Sequence, residues 1–91
     1  MTPVIGKMPD LNKTKIKNTE FKVADQLPNM GSPKANWKQN SGVLRSYMDG
    51  RAFKDVSAYP MKNAGFLGAE RNLLKEHGYQ YSNGYWVIME E

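Results

Sequence analysis

The chain has no cysteine. Disulfides, thiolate metal sites and a cysteine nucleophile are therefore excluded. It has a single histidine, His77, so a multi-histidine metal site is excluded too. No apolar run is long enough for a transmembrane helix, and stable membrane association is not expected. The first residues carry no charged stretch followed by an apolar one, so no export signal is visible, and delivery across a membrane would need another agent. No glycine-rich phosphate loop of the Walker or Rossmann kind is present, and Gly65, Gly68 and Gly78 fit neither spacing. Internal repeats and low-complexity tracts are lacking as well.

What remains is a basic chain of 91 residues with a net charge of +4. That length makes one domain, 1–91, with a modest core and room for one cleft beside it. The charge is one-sided: residues 1–50 hold eight Lys/Arg against four Asp/Glu, and residues 51–91 hold five of each. Such a surface favours polyanions through counterion release, although excess lysine also simply keeps a small protein soluble.

Local signals set the expected elements. Val4-Ile5 is a short β-type pair, followed by the turn-prone Met8-Pro9-Asp10. Residues 20–24 alternate polar and apolar and predict a strand. Ser32-Pro33 pairs an N-cap residue with proline at the first helical position, which predicts a helix over 33–48 closed by Gly50. An irregular connection follows, with one short strand over 52–56. A second helix is expected over 65–77, closed by Gly78. Asn83-Gly84 between aromatic and β-branched segments predicts a hairpin with strands over 79–81 and 85–89. The sum is an α+β fold: two helices packed on a small, mostly antiparallel sheet that ends in a C-terminal β-hairpin.

Projected at about 100° per residue, the first helix carries Lys34, Lys38 and Arg45 in one basic stripe, with Trp37, Leu44 and Met48 on the adjoining arc. The stripe reads equally as a row of phosphate contacts or as a solvated face. Trp37 beside it either stacks on a base or, the favoured reading, anchors the core. On the second helix Phe66 and Leu73 define the apolar centre, and Arg71, Asn72 and Lys75 lie opposite. Glu70 and His77 fall within roughly 40° of Phe66, on the apolar arc. Inward-facing polar groups need partners, and these two are roughly 10 Å apart along the axis. Arg45 or Arg51 is the natural partner for Glu70. For His77 two readings stand: a cation at the helix C-terminus, or a general acid/base at the edge of the core.

A small basic domain of this kind has one cofactor-free chemistry within reach, cleavage of RNA, because the ribose 2′-OH is an internal nucleophile. The reaction needs a proton acceptor, a proton donor and cations around the phosphorane. His77 is the expected general acid/base. Asp55 or Glu70 is the carboxylate that orients it or takes the second proton, with Asp55 preferred, and Arg45, Lys34 and Lys38 bind phosphate. Asn40, Ser57 and Tyr59 are weaker candidates as cleft-lining polar groups. No metal ligand set is visible and no cofactor is expected.

The stretch Val4-Ile5-Gly6-Lys7 with Asp10-Leu11, the run Leu27-Pro-Asn-Met-Gly-Ser-Pro-Lys-Ala-Asn-Trp-Lys-Gln-Asn-Ser-Gly-Val-Leu-Arg45, the triplet Asp55-Val56-Ser57, and residues 65–74 followed by His77-Gly78-Tyr79 together resemble C-terminal toxin modules of bacterial polymorphic toxins, among them contact-dependent growth inhibition and Rhs-type effectors. The resemblance spans nearly the whole chain. One departure is the run Met48-Asp49-Gly50-Arg51-Ala52-Phe53, which stands where a Gly-x-Pro-Ile type of turn is expected. The resemblance implies a toxin domain carried as the tail of a larger secreted or surface effector. It would act in the cytoplasm of a neighbouring cell and be neutralised by a cognate immunity protein. Small basic modules of this kind are often RNases, several of them attacking tRNA, and some take elongation factor Tu as a helper protein. The expectation is thus a metal-independent ribonuclease acting on tRNA. Its rival is a non-catalytic nucleic-acid or protein-binding module of a mobile element.

Overall fold

The computed structural model describes residues 1–88; Met89, expected in the last strand, lies outside them. In chain order the elements are β1 (Thr2–Ile5), α1 (Met8–Lys13), β2 (Glu20–Lys22), a 3₁₀ turn (Val23–Gln26), α2 (Pro33–Ser46), β3 (Phe53–Asp55), α3 (Phe66–Glu76), β4 (Tyr79–Ser82) and β5 (Tyr85–Ile88). The strands form one sheet in the order β2-β1-β3-β5-β4. The fold is α+β, as expected, with the C-terminal hairpin in place. The sheet is mixed: β1 runs parallel to both β2 and β3, while β3–β5 and β4–β5 are antiparallel. No helix among the described residues is long and apolar enough to cross a membrane.

Local chemistry explains most of the elements. The Ser32 hydroxyl accepts from the Ala35 amide at 3.1 Å, so α2 starts at the capped Ser-Pro pair. Asn83 and Gly84 both take positive φ, 47° and 88°, the twist that lets a two-residue turn join Ser82 to Tyr85. Helix α1 stands where a turn was expected. Pro9 sits in its first turn, where the amide that proline lacks would have no helical partner. The strand expected over 20–24 shortens to β2, because the chain coils into the 3₁₀ turn at Val23.

Strand β1 lies between two neighbours, and Val4 and Ile5 are both buried, as in a strand covered on both faces. On β3 the two-residue period places Phe53 and Asp55 on the same face, and both are buried. The core joins Ile5, Phe53 and Trp86 of the sheet to Leu44 of α2 and Leu67, Leu73 and Leu74 of α3.

Candidate active site

Asp55 is thrown into the core by its strand, and four donors meet it there. Arg71 donates through Nε to Oδ2 at 2.8 Å and through Nη2 to Oδ1 at 3.0 Å. The Ser57 amide reaches Oδ1 at 3.0 Å, and the Trp86 indole N–H reaches Oδ2 at 2.9 Å. Arg71 also donates to the Ser57 carbonyl at 3.2 Å. The network continues outward: the Ser57 hydroxyl accepts from the Lys7 amide at 2.8 Å and donates to Asp10 at 2.6 Å. A buried bidentate pair with its remaining lone pairs filled is a structural knot. It ties β3, α3, β5 and the 6–10 segment together. Gly6 permits the close approach, since a Cβ there would stand 2.7 Å from Val56 Cγ2.

Against this knot opens a cleft of about 600 Å³. Its wall is built from Gly6, Lys7 and Pro9, from Leu27, from Asn40 of α2, and from Phe66, Leu67 and Glu70 of α3. Glu70 is only 8% exposed, and among the described residues no hydrogen bond or ion pair reaches its carboxylate. Burial pushes its pKa up from 4.5 to about 7, and the negative charge of Asp55 adds to the rise. A carboxyl that is half ionised at neutral pH and faces an open cleft can both accept and deliver a proton. Lys7 on the same wall keeps its ammonium partly exposed, 3.4 Å from the Asn63 carbonyl, and supplies a cation. Asn40 supplies an amide.

The expected site residues separate accordingly. Glu70 and Asn40 come together in the cleft. His77 does not join them. It is exposed at the end of α3, and its Nδ1 lies 3.0 Å from the Leu73 carbonyl. The backbone at His77 has already left helical geometry, with φ −97° and ψ 16°, so the helical projection ceases to hold there. Asp55 cannot orient His77, because its oxygens are filled by Arg71, Ser57 and Trp86. Arg45 and Arg51 are not the partners of Glu70: Arg45 is exposed, and Arg51 pairs with Asp49 at 2.7 Å. Arg71, expected on the solvent side of α3, is 4% exposed.

Ser57 is buried within the knot rather than lining the cleft. Tyr59 lies in an aromatic cluster, 4.4 Å from Tyr81 and 5.3 Å from Trp86 by ring centroids, with Lys75 over its face. Lys34, Lys38 and Arg45 are exposed along α2. Trp37 is half-buried, between the two readings open to it. Lys7 was not foreseen, since nothing local marks a lysine that the fold brings to a cleft.

Among the described residues no group of three or more His, Asp or Glu is placed to hold a metal ion. Comparison of the chain with family models, with curated proteins and with solved structures gave no match.

Proposed function

We propose that this domain is a metal-independent ribonuclease of the toxin-module kind, with Glu70 in place of His77 as the group that moves the proton. The observation that carries the reading is the Glu70 carboxyl, without a partner among the described residues and raised to about 7, in the wall of an open cleft. In the reaction the Glu70 carboxylate takes the proton of a ribose 2′-OH. The freed 2′-oxygen attacks the adjacent phosphorus, and the bond from phosphorus to the 5′-oxygen breaks. The departing 5′-oxygen is protonated by solvent, which the open cleft admits. The products are a 2′,3′-cyclic phosphate and a 5′-hydroxyl. Lys7 faces the developing phosphorane charge, and Lys34, Lys38 and Arg45 hold the flanking phosphates. The resemblance adds three elements to this reading: tRNA as the RNA that is cut, a cognate immunity protein that neutralises the domain, and elongation factor Tu as a candidate helper.

The test is cleavage of tRNA by the purified domain in excess EDTA, with end-group analysis of the fragments. Native protein yields cyclic phosphate ends, with a rate that rises with pH through about 7, the Glu70 pKa. Glu70→Gln lowers the rate by roughly 10²- to 10⁴-fold. Equal cleavage by that variant rejects the assignment of Glu70. The exposed Lys34, Lys38 and Arg45 ridge, which needs no chemistry in order to bind, favours the non-catalytic module as a second reading. Growth inhibition that persists in Glu70→Gln without RNA fragments selects that reading.

A further inference from the structure

We infer that Trp37 and Phe66 form a stacking platform for one unpaired nucleobase, so that the RNA is engaged as a single strand or loop and not as a duplex. The inference rests on the ribonuclease reading for its substrate and adds the part of the site that selects it.

The two rings come from different helices, α2 and α3. Their centroids are 6.4 Å apart and their planes lie within 23° of parallel. Phe66, expected at the apolar centre of its helix, is instead 42% exposed. Trp37 is half-buried, whereas the other tryptophan, Trp86, is fully buried in the core. Against both rings lies a slot of about 360 Å³, its lining completed by Gly65 and Ala69. Apart from the Trp37 indole N–H these lining groups are apolar, so the slot offers ring faces and little hydrogen-bond code.

The position of the platform decides its occupant. Phe66 also lines the Glu70 cleft. Trp37 also lines a polar recess with Ser41, Arg45, Asn72 and Glu76. The platform therefore joins the candidate catalytic carboxyl to the basic ridge. Helix α2 carries Lys34, Lys38 and Arg45 and no acidic residue. An apolar slot flanked by cations is complementary to a strand that alternates flat bases with phosphates. In a duplex the base faces are covered by their neighbours, and the narrow major groove of A-form RNA keeps side chains out. An unpaired base leaves a face free for the rings. A strand crossing from the ridge to the cleft would pass over the platform, because Trp37 borders the recess of Arg45 and Phe66 borders the cleft of Glu70.

The test uses the full chain carrying Glu70→Gln, which holds RNA without cutting it. The probes are a short single-stranded RNA and the same RNA annealed to its complement. Because Trp86 is fully buried, quenching of tryptophan fluorescence by RNA reports Trp37. The single strand is expected to quench and the duplex to do so weakly. Adding Trp37→Ala or Phe66→Ala lowers affinity for labelled single-stranded RNA by roughly 5- to 150-fold, and Trp37→Phe, which keeps a ring, retains most of it. Equal quenching by duplex, or unchanged affinity in both Phe66→Ala and Trp37→Ala, overturns the platform. Failure of either RNA to perturb Trp37 also overturns it and leaves the slot to a protein segment. The two readings fail separately: single-strand binding at Trp37 by a native protein that cuts nothing removes the ribonuclease and keeps the platform. Cleavage by the native protein that is indifferent to Trp37→Ala and Phe66→Ala does the reverse.

Discussion

Asp55 and Glu70 are both buried carboxyls, 5% and 8% exposed, and neighbouring enough that the charge of one raises the pKa of the other. Their surroundings are opposite. Asp55 receives four hydrogen bonds, two of them from a buried guanidinium. Glu70 receives none among the described residues and faces a cleft. Arg71, next to Glu70 in sequence, turns to Asp55. A carboxylate whose lone pairs are filled holds elements together and has no capacity left for a substrate proton. One that is desolvated and unpaired costs stability when ionised and keeps its proton-transfer capacity. The molecule thus places a structural acid beside a reactive one, and the structural acid helps to tune the other.

The contrast breaks most severely at Asp55. Asp55→Ala leaves the Arg71 guanidinium buried without its partner and the Trp86 N–H without an acceptor, which is expected to cost about 3–5 kcal/mol. Urea denaturation at pH 7 measures it. For a domain this small, that loss brings the folded state close to the edge of its stability. A cost below about 1 kcal/mol, the value of an exposed pair, would mean that the knot is open to water.

Glu70→Gln is expected to act in the opposite direction. The folded state holds the Glu70 proton more tightly than the unfolded chain does. The resulting stability is complete below pH 4.5 and is lost as pH rises through about 7. That pKa gap corresponds to about 3 kcal/mol. Glutamine keeps the shape and cannot ionise. The variant should therefore match the native protein at pH 4 and exceed it by up to about 3 kcal/mol at pH 8. Denaturant titrations of both proteins across that range test this, and a difference that does not change with pH would show that Glu70 is not desolvated. Gaining stability while losing RNA cleavage is the signature of a group kept for function.

How much of this was legible in the sequence depended on how local its cause is. The Ser32-Pro33 start and the Asn83-Gly84 turn involve residues a few positions apart, and both stand as read. The inward position of Glu70 also follows from helical period alone, because residue 70 lies well inside α3. The burial of Arg71 does not, since its partner lies 16 residues away on β3 and a helix wheel has no knowledge of a strand. The parallel pairing of β1 with β2 and β3 was equally hidden: such neighbours are joined by crossovers, which leave no turn signature like that of a hairpin. The cleft itself is assembled from the 6–9 segment, α2 and α3, so Lys7 became visible only once the chain had closed.

The smallest effect is expected at His77, which sharpens the comparison by exclusion. The only histidine of a basic domain is the natural first choice for proton transfer. Yet at the C-terminus of α3 its ring reaches back to the Leu73 carbonyl, which already accepts the His77 amide at 3.2 Å, so the ring is turned onto its own helix and away from the cleft. In that position the imidazole makes one exposed local contact with the helix end, worth at most about 1 kcal/mol. His77→Ala should therefore lower stability by no more than that, and RNA cleavage should stay within about twofold of native, a change too small for a lost proton donor or acceptor. Side-by-side rates for His77→Ala and Glu70→Gln on the same tRNA make the decision. If the histidine variant loses activity by orders of magnitude while the glutamate variant keeps it, the reactive group lies at the end of the helix and the cleft is not where the chemistry happens.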